Sequence, residues 1–110
     1  MNFEQAWPLL EEAANIGDFV TKEETIEGLR SGAFSLFTRE KSAAVTADMW
    51  PTLRIGLAGG DMSELLEIEE EITVYAKEHG FTNVEIIGRP GWERVLKGYD
   101  RAAVLLRKQI

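Results

Sequence analysis

From Ala58 to Trp92 the chain reads AGGDMSELLEIEEEITVYAKEHGFTNVEIIGRPGW, which lays out a strand end, a long helix, a second strand and the start of another helix without a break. A strand, a long helix and a strand in succession favour a parallel crossover, because two parallel neighbours need a connection of a dozen residues or more. The sheet that contains this unit is therefore expected to be mixed. Within the stretch, Leu65, Ile68, Ile72, Tyr75 or Ala76, and His79 trace one stripe, while Glu64, Glu67, Glu69, Glu70, Glu71, Lys77 and Glu78 crowd the other faces. The spacing predicts a helix over Asp61 to His79. Asp61 with Glu64 three residues on makes an Asp version of the capping box, and Gly80 sits where a left-handed C-terminal cap is wanted. Asn83 to Gly88 reads as a largely buried strand through Val84, Ile86 and Ile87, and Pro90, with φ preset near −65°, can open a helix through Trp92, Val95 and Leu96.

Upstream, Asn2 to about Asn15 has Phe3, Trp7, Leu10 and Ala14 at helical spacing, with Pro8 implying a kink or a later start near Trp7. Thr21-Lys22-Glu23-Glu24 has the Thr-x-x-Glu form of a capping box, followed by Ile26 and Leu29 as the apolar face and by Gly32 as a stop. From Ala33 the period changes to two. Phe34, Leu36 and Thr38 alternate with Ser35, Phe37 and Arg39, and the strand-like pattern returns over Ala43 to Met49 and Thr52 to Ala58, separated by Trp50-Pro51. Three successive strands on short links argue an antiparallel meander, and Ala102 to Leu106 is expected as a last strand. The inferred architecture is α/β, one domain over residues 1–110, with a mixed, mostly antiparallel twisted sheet of about five strands flanked by helices.

Nineteen acidic against twelve basic residues give a formal charge of −7, which repels a phosphate backbone and disfavours nucleic acid and anionic membranes as partners. The C-terminal bases Arg89, Arg94, Lys97, Arg101, Arg107 and Lys108 read as a solvated face. Without cysteine there is neither disulfide nor thiolate chemistry. No apolar run approaches the roughly 20 residues that span a bilayer, and MNFEQAWPLL lacks the basic start of a signal peptide. A cytoplasmic location is expected, or a particle assembled in the cytoplasm. His79, the sole imidazole, sits at a helix end where a cation favours the dipole, so a capping role is expected of it. Glu69-Glu70-Glu71 point around a helix and do not converge on an ion, no other ligand spacing occurs, and no metal is expected. Ser63, Asp61 and His79 lack the strained elbow of a serine nucleophile.

The order helix, helix, three antiparallel strands, helix, strand, helix, strand resembles that of the GNAT superfamily of N-acetyltransferases. Leu53 to Leu106 is similar in layout to that superfamily's cofactor-binding core. At a finer grain, the run from Gly59 to Leu96 resembles small acetyltransferase-like proteins of bacteriophage and prophage virion genes, through a long acidic helix, the Glu78-His79-Gly80 stop and the Gly88-Arg89-Pro90-Gly91-Trp92 turn. The resemblance implies, for a working enzyme, acetyl-CoA held by backbone at Leu57, Ala58, Gly59 and Gly60, with Tyr99 as the acid that returns a proton to the departing thiolate. This chain departs from the superfamily's Gln/Arg-x-x-Gly-x-Gly/Ala loop at Gly56-Leu57-Ala58-Gly59-Gly60-Asp61. Asp61 and Glu64 also occupy the helix start where phosphates would sit. A carboxylate about 4 Å from a phosphate charge costs about 4 kcal/mol at an effective dielectric near 20. The expectation is a structural turn at Gly59-Gly60, a packing role for Tyr99, no cofactor, and a non-enzymatic scaffold or virion-associated protein, with a divergent acetyl-CoA-dependent N-acyltransferase as the alternative. Arg89 beside Trp92 reads equally as an anchor for a protein partner or second copy, or as a core Trp with an Arg neutralising Glu85 or Glu93.

Overall fold

The computed structural model describes residues 1–17, 20–87, 92–103 and 106–110, with residues 16, 17 and 93 as backbone only. Its elements run α1 (Phe3–Gly17), α2 (Lys22–Ser31), β1 (Phe34–Thr38), β2 (Ala43–Met49), β3 (Thr52–Gly59), α3 (Met62–Glu78), β4 (Asn83–Ile86) and α4 (Trp92–Val95). The four strands form one mixed sheet in the order β1-β2-β3-β4, antiparallel except for the parallel pair β3–β4 that α3 connects. None of the described helices is long and apolar enough to cross a membrane.

Two apolar clusters cover the two faces of the sheet. Ala6, Trp7, Leu10 and Ala14 of α1 pack on Ala43, Val45 and Leu57, with Phe34 and Leu36 alongside. On the opposite face Leu65, Ile68, Ile72 and Ala76 of α3 pack on Ala44, Leu53 and Ile55. Residues two apart on a strand share a face, yet Ile55 and Leu57 lie in different clusters. The cause is a bulge: Val45 pairs with Leu57 and Thr46 with Ile55, so Gly56 is one extra residue on β3.

Local signals act largely as the chain implies. Thr21 and Glu24 close the reciprocal capping box of α2, and Gly32 ends that helix with φ +86°. The buried face of α2 differs from the expected Ile26 and Leu29: Thr25 and Gly28 are buried, because Gly28 sits so close to the Phe34 ring that a Cβ there would overlap it. Pro8 lies inside α1 and does not end it. Asn2 and Gln5 bond reciprocally at 2.9 Å to open the helix before the proline, whose missing N–H forfeits only one bond, that to the exposed Glu4. Trp50 and Pro51, joined by a cis peptide bond, link β2 to β3.

The C-terminal part corrects the sequence reading. Ala102, Ala103 and Leu106 belong to no strand, Leu106 is 87% exposed, and residues 104 and 105 lie outside the described set. The described sheet thus has four strands rather than about five. A five-residue apolar run carries no periodicity that separates a strand from other structure. The helix opened after Pro90 is a single turn, Trp92–Val95, with Leu96 N–H donating to the Trp92 carbonyl at 3.0 Å.

Candidate functional site

The turn at the end of β3 and the start of α3 is expected to be structural, although the resemblance would put a phosphate cradle there, so its geometry decides what it can hold. A Cβ on Gly59 would run into the carbonyl of Leu9 in α1, and one on Gly60, at φ +128°, into the Lys41 carbonyl and Ser42. The two glycines are needed because the chain's own backbone approaches there. Asp61 caps α3, accepting the Glu64 N–H at 3.2 Å and the Ser63 hydroxyl. Glu64 does not complete the capping box. Its carboxylate accepts from the Ser42 hydroxyl at 2.7 Å and from the Lys41 N–H at 3.0 Å, while the Asp61 N–H donates to Ser42 Oγ at 2.8 Å. Fully buried Ser42 therefore supplies the half of the box that Glu64 leaves open.

These bonds also set the charge at the site. The Ser63 hydroxyl, followed by the backbone N–H groups of Glu64 and Ser63, holds the Asp61 carboxyl below its ordinary value of 3.8. A carboxyl whose folded pKa is depressed contributes stability that is present above the unfolded value and is lost as pH falls through the folded one. Asp61→Asn keeps a capping oxygen but cannot titrate. The stability gap between wild type and this variant is expected to hold above the unfolded value and to narrow as pH falls below about 4, read by urea denaturation at several pH values. A gap independent of pH would contradict the assignment.

The described parallel pairing ends at Ile55↔Ile86, and among the described residues the end of β3 lies alongside β2 alone. On the α3 face, side chains fill the wedge between β3 and β4. Trp92 and Ile86 close on Ala58, Leu65, Ile68 and Ile72 and leave a void of ≈ 10 Å³, about the space for one water. Trp92 is half-buried against the α3 cluster, which favours the core-filling reading of its two. Arg89, its proposed companion, lies outside the described residues. Tyr99 is half-buried, and its hydroxyl donates to Glu69 Oε1 at 2.8 Å, while Glu69 also accepts from Thr73 Oγ1 at 3.0 Å. Burial, with the Glu69 bond second, raises the Tyr99 pKa above that of a free phenol. The phenol thus holds its proton tightly and fastens the segment after α4 to the middle of α3.

The structure brings Leu57, Ala58, Gly59 and Gly60 together only as consecutive residues, three at the end of β3 and Gly60 just past it, facing different partners. Leu57 is core on the α1 side, and Ala58 packs under α3. Among the described residues no buried side-chain polar atom lacks a hydrogen-bond partner, and no three acidic or histidine side chains are grouped to hold a metal ion. His79 caps α3: its Nδ1 lies 2.8 Å from the Tyr75 carbonyl, which can only accept, and its ring stacks on Tyr75 at 4.0 Å.

Trp50 is the residue that sequence reasoning passed over. At the β2–β3 tip it is 63% exposed, next to Met49, with one ring edge on Phe81 at 5.1 Å. The signal was present, since a Trp in a two-residue hairpin link has no core within reach. No protein-family model, curated protein or solved structure gives a significant match to the chain.

Proposed function

We propose that this chain is a non-enzymatic protein with a GNAT-like layout that acts as a scaffold or partner-binding component, its place in a phage or prophage virion resting on the sequence resemblance of the Gly59-to-Leu96 run. The observation that carries the non-enzymatic reading is the filled α3 face of the wedge between β3 and β4, where Trp92 and Ile86 leave ≈ 10 Å³. An acyl-CoA arm needs an open slot there and free N–H groups at the following helix start. Ser42 and Asp61 take two of the N–H groups at that start, those of Asp61 and Glu64, for the protein itself. A protein contact finds support at the hairpin tip, since an exposed Trp beside an exposed Met is the kind of anchor that carries binding energy at interfaces.

Isothermal titration with acetyl-CoA tests the reading. No saturable heat is expected up to millimolar ligand, and micromolar binding would overturn it in favour of an N-acyltransferase. Co-sedimentation of the chain with assembled particles tests the virion assignment separately.

A further inference from the structure

The α1 side of the sheet carries an open cleft of ≈ 320 Å³, on the opposite face from the filled wedge. Its origin is local. The end of β3 is covered by α1 at Gly59 and Leu9, and β1 is covered by α2 at Phe34 and Gly28, but the sheet around Ala47, Arg54 and Ile87 lies under neither contact. The bulge then places Gly56 on the floor, where a Cβ would meet nothing within 4 Å. A glycine in a strand that leaves open space marks a point where something else can approach the backbone closely.

Among the described residues the lining is apolar apart from Arg54 and Thr46, and Thr46 is buried. Arg54 is pinned by its Nε, which donates to Glu85 Oε1 at 2.6 Å on the neighbouring strand. Its terminal amino groups have no hydrogen-bond partner among the described residues, and a third of the side chain is exposed. An apolar pocket with one fixed guanidinium selects a ligand with an apolar body and one anionic head. Two further facts restrict the head. Glu85 already offsets part of the Arg54 charge, and the chain carries −7 overall, so a dianion such as a phosphate monoester is disfavoured. At ≈ 320 Å³ the cleft lies at the small end of the range of small-molecule sites, about 300–1,000 Å³.

We propose that this cleft binds a small monocarboxylate with an apolar tail, of the size of a medium-chain fatty acid, its tail along Phe34, Leu57 and Ile87 over Gly56 and its carboxylate on Arg54. The cleft opens on the other face of the sheet from Trp92 but shares Leu57 with the run considered for acetyl-CoA, so octanoate binding that acetyl-CoA does not displace keeps the two readings apart.

Octanoate is the matched probe, titrated into the full chain by calorimetry and followed by amide shifts of Ala47, Gly56 and Ile87. One-to-one saturable binding is expected, with octanol and Arg54→Gln each weakening it at least about tenfold, the scale of one charge-assisted hydrogen bond. Gly56→Leu puts a side chain on the floor, where its Cβ meets nothing within 4 Å, and is expected to abolish binding while the chain stays folded. Met49→Glu, at an exposed position of the rim, provides a second variant that places a carboxylate beside the head without touching the core, and it too is expected to lose affinity. Absence of saturation, equal binding of octanoate and octanol, or unchanged affinity in both Met49→Glu and a folded Gly56→Leu would overturn the proposal.

Discussion

Gly60→Ala is expected to lower stability by about 3–5 kcal/mol, combining backbone strain at a glycine-only conformation with overpacking against immovable groups. Gly60 has φ +128°, and its added Cβ would meet the Lys41 carbonyl and Ser42 together. Neither is the free end of a flexible side chain. Ser42 is fully buried and bonds both Glu64 and the Asp61 N–H, so pushing it aside also opens the cap of α3. Gly56→Ala is the matching control, because its Cβ meets nothing within 4 Å. It is expected to change stability by less than about 1 kcal/mol. Urea unfolding midpoints of the two variants decide the matter, and equal midpoints would mean that the turn tolerates a side chain and is not held by packing.

The contrast between these two glycines shows what a sequence can and cannot convey. Gly32 and Gly80 follow recognisable helices and take the left-handed conformation that a C-terminal stop demands. Gly56, Gly59 and Gly60 sit in one short run, yet one lies over open space and two lie against backbone from α1 and from the β1–β2 link. Nothing within that run encodes the distinction, because it depends on residues about 20 and 50 positions away in the chain. The same limit explains Glu64. Its spacing from Asp61 satisfies the capping-box pattern, and the first half forms, but its carboxylate finds Ser42 and Lys41 from another part of the fold instead. Local chemistry set the helix start, and tertiary contact chose the partner.

Periodicity conveyed the α/β class, the meander β1-β2-β3 and the parallel return through α3, since these rest on repeated apolar positions. It did not convey the bulge. Leu53, Ile55 and Leu57 alternate as one face of a strand should, and only the pairing with β2 reveals that Leu57 has crossed to the α1 side. The cleft is hidden for the same reason, as it exists because of that crossing and of where two helices happen to stop. Trp92 carried two readings in sequence because an aromatic after a turn serves a core or an interface equally well. Its packing under α3 depends on the wedge left where β3 and β4 part, which no local pattern announces.

That wedge gives the other large effect. Ile72 is fully buried in the α3 cluster and borders the ≈ 10 Å³ void beside Trp92 and Ile86. Ile72→Ala is expected to cost about 2–5 kcal/mol, toward the upper end if Trp92 and Ile86 cannot collapse into the space. The new cavity would join the existing void and be lined by Ile55, Leu65, Ile68 and Ile86. An apolar cavity of this kind stays dry and takes a small apolar ligand. Benzene is accordingly expected to raise the melting temperature of Ile72→Ala and to leave that of the wild type unchanged. If benzene stabilised both proteins alike, the wild-type wedge would already open to ligands, and the main support for a non-enzymatic role would fall. If it stabilised neither, Trp92 would have moved into the space, and the destabilisation should then lie near the lower end of the range.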